Sequence, residues 1–150
     1  WIDLGIIEHE SNGIGGPNSR SWNRSSVRYH SSVTFTEEAR LLWSIKAWVP
    51  YLSDSSSKDL MLYRGLFELN LEFSNIMGGF MKPGDIILRL YPGGKSFVNP
   101  LQGGQEITFR VKTRWQELLL PLMIQVFHGY AESLVGYKDE IFATRVGIGF

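Results

Sequence analysis

The fold class this sequence predicts is all-β, an antiparallel transmembrane β-barrel to which the chain contributes eight strands. Three observations lead there. Strict period-two alternation recurs in segment after segment. The connections alternate between short and long, as periplasmic turns and outside loops do in outer-membrane barrels. In the long strands one face collects charges while the other carries bulky apolar side chains with aromatics near its ends.

The strands fall near 1 to 11, 21 to 35, 40 to 52, 60 to 74, 80 to 91, 105 to 115, 120 to 131 and 140 to 150. In the first, His9 and Ser11 share a face with Ile7 and Trp1, opposite Glu8 and Glu10. In the second, Asn23, Val27, Tyr29, Val33 and Phe35 share a face with interspersed serines, and Arg24, Arg28 and His30 take the other. The third opposes a lipid-compatible face of Leu41, Trp43, Ile45, Ala47, Val49 and Tyr51 to one bearing Ser44 and Lys46. The fourth places Met61, Tyr63, Gly65, Phe67, Leu69, Leu71 and Phe73 against Arg64, Glu68, Asn70 and Glu72. The sixth sets Ile107, Phe109 and Val111 against Thr108, Arg110 and Lys112. Between these strands lie the Gly-rich loop Asn12 to Arg20, a tight turn at Thr36 to Arg40, and loops at Ser53 to Asp59, Asn75 to Gly79, Pro92 to Gly104, Gln116 to Leu119 and Glu132 to Asp139. Tyr51, Tyr63, Trp115 and Tyr130 resemble interface girdles.

A soluble sandwich or lipocalin-like barrel also alternates. Its apolar face points inward, however, and sidedness here favours the membrane barrel. No run of about 18 apolar residues occurs, which excludes a transmembrane helix. Fifteen Lys plus Arg balance fifteen Asp plus Glu, so the electrostatic footprint of a nucleic-acid partner is missing. With no cysteine, disulfide frameworks and thiolate metal sites drop out. The chain opens inside a strand-like alternation and without a secretory leader, so upstream sequence is expected before Trp1 and residues 1–150 are read as a single domain of a longer chain.

Chemistry concentrates between Glu8 and Arg24. On a strand, His9 and Ser11 project from one face about 7 Å apart at Cα, close enough for an imidazole to reach a hydroxyl. Such a pair supports nucleophilic catalysis, His9 taking the Ser11 proton as the oxygen attacks an ester. Asn23 shares the outward, lipid-facing side, and a reactive centre there implies a substrate that lies in the membrane. Taken alone, an H-x-S pair also describes a polar strand end beside a loop. His30 and His128 read as structural, Glu37 and Glu38 as a solvated turn, and the paired glycines at Gly15, Gly78, Gly93 and Gly103 as loop turns rather than phosphate cradles.

His9, Ser11, Asn12 and Gly13, and then Ser19, Arg20, Ser21, Trp22 and Asn23, all in register without an alignment gap, resemble the motif of the outer-membrane phospholipase A family. Further likeness occurs at Tyr63 and Gly65 and again at Gly129, Tyr130, Glu132, Ser133, Leu134, Thr144, Arg145, Val146 and Gly147. The resemblance implies a twelve-stranded barrel of which these are the last eight strands. It also implies Ser11 as nucleophile, His9 as base, Asn23 as the group orienting the imidazole, and the Gly13 amide as an oxyanion donor. A calcium ion, Ca2+, is implied at a dimer interface, held by the Ser19 hydroxyl and the Ile14 carbonyl, and with it hydrolysis of phospholipid esters in the bacterial outer membrane by a homodimer. The rival reading is a non-enzymatic barrel, a porin or structural protein, which has no use for these three side chains facing lipid.

Overall fold

The computed structural model describes residues 1–13, 19–51, 59–76, 84–115 and 118–148, the side chains of 112–121 excepted. Its eight strands are β1 (Ile2–Ser11), β2 (Ser21–Thr34), β3 (Arg40–Tyr51), β4 (Phe67–Ser74), β5 (Gly84–Gly93), β6 (Asn99–Trp115), β7 (Leu118–Gly129) and β8 (Ile141–Ile148), with one short helix, α1 (Met61–Arg64), between β3 and β4. They form one antiparallel sheet in the order β1 to β8, each strand paired with its neighbour in sequence. This meander is what short hairpin connections build when backbone groups must be satisfied from strand to strand. No helix among the described residues is long and apolar enough to cross a membrane.

The two faces differ as the alternation requires. Leu4, Ile7, Val49, Phe142 and Val146 stand more than two-thirds exposed on the outer face. The opposite face is polar and internally paired. Glu68 is held by Arg89 at 2.7 Å and Arg28 at 3.5 Å, and Arg110 bridges Glu72 at 2.8 Å and Asp85 at 2.9 Å. Charges taken out of water need such partners, because an unpaired one costs several kcal/mol, roughly 3 to 5 when a partner is removed.

At the end of the sheet where β1 meets β2, a core of Trp22, Trp48, Leu60, Tyr91, Phe127, Ala131, Leu134 and Tyr137 closes the inner face. Trp48 donates its indole N–H to the Gly65 carbonyl at 3.0 Å. Arg64 lies over the Tyr91 ring at 4.3 Å and donates to the Ala131 carbonyl at 3.0 Å. The Tyr91 hydroxyl sits 3.0 Å from the Tyr130 carbonyl and 3.1 Å from that of Ala131. The segment leading into α1 and the segment after β7 are thereby fastened over the sheet.

Several expectations are corrected here. The predicted strand from 60 to 74 begins only at Phe67, because Met61–Arg64 form a helical turn that ends at Gly65 with φ of 64°. A side chain at Gly65 would collide with the Pro92 carbonyl, so glycine is required at this crossing. Tyr63 leaves the girdle and packs on Tyr130 at 5.4 Å and Tyr137 at 5.7 Å. The expected long loop Pro92 to Gly104 is mostly strand: Gly93 ends β5, and Gly103 lies within β6 against the Tyr91 and Pro92 backbone. Trp1 does not share the outer face with His9 but stacks on His30 at 4.6 Å, beside Asp3, because the β1–β2 register shifts between Gly5 and Glu8 and inverts the alternation. The Trp115 side chain and the glycines at 15 and 78 lie outside what the structure describes.

A polar latch ties Asp59 to the segment after β7, through the Tyr137 hydroxyl and through Lys138 at 2.6 Å. Burial pushes the Asp59 carboxyl up, but the Lys138 and Tyr137 hydrogen bonds outweigh it and hold the group below its ordinary 3.8. Its share of stability is therefore present above pH 3.8 and lost as pH falls through the lowered value. Burial first, then Asp59, raises the Tyr137 phenol above 10.0, and the hydrogen bond to Asp59 raises Lys138 above 10.5. Their share is present below those values and lost as pH rises through the raised ones. With Lys138 and Asp59 side chains 55% and 38% exposed, solvent screening keeps the effect local. Hydrogen-exchange protection of the Gly136 and Asp139 amides, each rate taken relative to its intrinsic value at that pH, should hold across neutral pH and fall at both extremes in a folded barrel. A single transition coinciding with global unfolding would remove the latch.

Candidate active site

The site is built on two neighbouring strands. Antiparallel pairing of β1 with β2 sets His9 opposite Asn23 and Ser11 opposite Ser21. His9 and Ser11 are exposed and Asn23 is half-buried, all on the apolar outer side of the sheet. Across the pair, His9 Nδ1 meets Asn23 Oδ1 at 2.8 Å. With the amide oxygen as acceptor, Nδ1 carries the proton and Nε2 keeps its lone pair, the tautomer a general base requires.

Ser11 Oγ accepts a hydrogen bond from the Gly13 amide at 3.1 Å. Gly13 has φ of 68°, a conformation that a side chain would strain, and its surroundings are open. Among the described residues Ser11 and His9 form no hydrogen bond with each other. The structure thus joins His9 to Asn23 across the β1–β2 pair and Ser11 to Gly13 along the chain. Catalytic contacts in a ligand-free site often tighten only when substrate arrives.

The loop that follows is pinned at its neck. The Asn12 amide donates to the Arg20 carbonyl at 3.1 Å, and the Arg20 amide donates to Asn12 Oδ1 at 3.2 Å. Ser19 stands half-buried beside this clamp, its carbonyl accepting from Arg20 Nη1 at 2.8 Å. Ile14 lies outside the described residues. No group of three or more His, Cys, Asp or Glu side chains able to hold a metal occurs among the described residues.

Behind the outer face lies an ion cluster that alternation alone does not reveal. On the inner side, Glu8 takes hydrogen bonds from Arg24 at 2.6 Å, Ser26 at 2.8 Å and Lys46 at 2.7 Å. Arg24 lies over the rings of Trp22 at 4.4 Å and Trp48 at 5.3 Å, and Glu10 accepts from the Trp22 indole at 3.2 Å. The alternation that put His9 and Ser11 outside also put Glu8 and Glu10 inside. Their opposite charges to Arg24 and Lys46 were the available signal.

Residues 1–150, the whole chain, match the family described as phospholipase A1. The chain belongs to the phospholipase A1 family. It is 30% identical over 148 residues to phospholipase A1 of Salmonella typhimurium, covering 99% of this chain and 44% of that one. The same identity and coverage hold for phospholipase A1 of Escherichia coli K12. The chain therefore spans less than half the length of the curated relatives it matches. Among solved structures it superposes on outer membrane phospholipase A from Escherichia coli with a TM-score of 0.73 at 25% identity, covering 99% of this chain and 53% of that one. The Salmonella typhi outer membrane phospholipase, a dimer with bound calcium, shares the fold with a TM-score of 0.71 at 24% identity over 98% of this chain and 52% of that one. The eight-stranded antiparallel sheet of this family member is accordingly of the outer-membrane β-barrel class.

Removing the Asn12 side chain tests whether the clamp is local. Asn12→Ala deletes the acceptor for the Arg20 amide and leaves the reciprocal backbone bond intact. A lost hydrogen bond of about 1 kcal/mol should speed exchange of the Arg20 amide roughly five- to tenfold while the β3 to β8 amides keep their rates. Unchanged exchange at Arg20 would show that the neck does not depend on this side chain.

Proposed function

We propose that this chain carries the catalytic strands of a phospholipase A that hydrolyses glycerophospholipid acyl esters from the outer face of the barrel. The observation that carries the reading is the 2.8 Å hydrogen bond from His9 to Asn23, made on the apolar side of the sheet beside Ser11. A base, its orienting amide and a hydroxyl facing hydrocarbon suit an ester presented by the membrane.

Ser11 Oγ attacks the acyl carbonyl while His9 Nε2 takes its proton, and Asn23 holds the ring through Nδ1–H. The oxyanion that forms is stabilised by the Gly13 amide, which already points at the Ser11 oxygen. As the intermediate collapses, His9 returns the proton to the leaving lysophospholipid oxygen. Water, deprotonated by the same imidazole, then releases the fatty acid from Ser11.

A divalent cation belongs to the same proposal. The Ser19 hydroxyl and the Ile14 carbonyl are neutral oxygen donors, the chemistry that calcium accepts, and a set so short on carboxylates needs oxygens from water and from a second copy to reach about six to eight ligands. When bound, the cation supplies positive charge next to the developing oxyanion. These eight strands would then be the C-terminal two-thirds of a twelve-stranded barrel that is active as a homodimer, other strands completing the wall.

Two outcomes are expected in the full-length protein. Ser11→Ala abolishes phospholipid hydrolysis in detergent-solubilised dimers, and Asn23→Ala lowers it by on the order of ten- to a hundredfold because the ring loses its guide and not its base. Heat-modifiable gel mobility checks that both barrels fold. Full activity in a folded Ser11→Ala protein would return the porin-like reading. Independently, a calcium chelator should stop hydrolysis and added calcium restore it, whereas chelator-resistant turnover would take the metal out of the mechanism.

A further inference from the structure

Between Gly5 and Glu8 the β1–β2 register shifts by one residue: Gly5 faces Ser26, Glu8 faces Arg24, and Ile6 and Ile7 together oppose Ser25. Both isoleucines stand on the outer side, 78% and 76% exposed. This β-bulge inverts parity. Without it the pairing of Gly5 with Ser26 would continue unbroken to set Ile7 opposite Arg24 and His9 opposite Trp22. Ile7, His9 and Ser11 would then face the polar interior, and Glu8 and Glu10 the lipid.

Resting on the proposed hydrolase, we infer that Glu8 is a positioning residue that holds this bulge, and that the bulge delivers His9 and Ser11 to the lipid side opposite Asn23. Two features meet at its carboxylate, and a third fixes the bulge from the opposite face. Arg24, Ser26 and Lys46, from two other strands, all donate to it. The carboxylate folds back over Gly5, where a Cβ would fall on Glu8 Oε1 and on Ser26 Oγ, so glycine leaves the space it occupies. From the outer side, the Ser25 hydroxyl donates to the Ile6 carbonyl at 2.6 Å and ties down the extra residue. The unbulged register would strip Glu8 of all three donors and turn its charge toward hydrocarbon, so the ion cluster selects the bulged one.

The test reads register and turnover separately in the full-length protein reconstituted in phospholipid vesicles. A nitroxide on Ile7→Cys reports whether position 7 meets lipid, through relaxation by oxygen, or water, through a soluble nickel chelate. In that background the label should favour oxygen. Adding Glu8→Gln or Gly5→Ala should shift it toward the nickel chelate and lower the apparent kcat in proportion to the share of molecules that leave the bulged register, with KM unchanged, because only the bulged register presents His9 and Ser11 to the lipid. Glu8→Asp, which keeps the charge, should recover part of the turnover and of the oxygen accessibility. Unchanged accessibility in folded Glu8→Gln overturns the inference, whatever the turnover. The label needs no activity, so a protein that hydrolyses nothing yet shows the accessibility shift would fail the hydrolase reading and keep the register lock.

Discussion

In a sheet surrounded by lipid, backbone amides and carbonyls must find their partners in the neighbouring strand, because hydrocarbon offers none. Every other feature of this molecule follows from that constraint acting with a period of two. Once the ladder is fixed, a residue's number decides whether its side chain meets lipid or interior. The sequence obeys with apolar side chains at Val27, Ile45 and Val49 and with Arg28, Lys46 and Glu68 between them. Since the interior strands are covered with charges, those charges must pair across strands, and Glu68 between Arg28 and Arg89 shows how far the pairing goes.

Much of this was legible beforehand because parity is written in composition. The strand count, the inward placing of Arg24, Arg28 and His30, and the common face of His9, Ser11 and Asn23 all came from counting by twos. The same counting misplaced Trp1. Nothing in the run from Gly5 to Glu8 announces an inserted residue, since Ile6 and Ile7 are each acceptable on either side of the count, and the bulge is visible only in the pairing partners. Residues 61–64 were misread for a related reason. Met61, Leu62, Tyr63 and Arg64 alternate acceptably as a strand, but they are also helix formers, and the contacts that decide between the two states come from Tyr91 and Ala131, distant in sequence. Gly93 and Gly103 look like loop residues until the close approach of the facing backbone explains why no side chain fits. The Asn12–Arg20 clamp left a weaker trace: the types are right for a loop neck, but reciprocity depends on geometry.

The inner and outer faces of β1 and β2 are therefore one device seen from two sides. Residues 8 to 11 alternate between an ion cluster and the candidate site, so each peptide that carries His9 or Ser11 is flanked by a carboxylate anchored inside. Arg24 is fixed in turn by two indole rings and two carboxylates. A side chain with that many restraints positions its own backbone, and Asn23 precedes it by one residue. Rigidity of the site is thus supplied from the interior, where polar networks can be fully satisfied, and not from the lipid side, where few partners exist.

That division also accounts for the amide behind the histidine. A carboxylate would stabilise an imidazolium better than Asn23 does, and most serine hydrolases use one. Here the sheet has carboxylates one residue away, Glu8 and Glu10, each with cationic partners on the inner face. At Asn23 the neighbours across the sheet are His9 on one side and Tyr51 on the other, and neither brings a fixed positive charge. An ion placed there would lose its hydration without gaining a counterion, a penalty of several kcal/mol in low dielectric. The amide keeps the acceptor oxygen that orients His9 and avoids the charge. Position on the lipid face, set for Asn23 by the unbroken alternation of β2, is what makes the neutral group the better one.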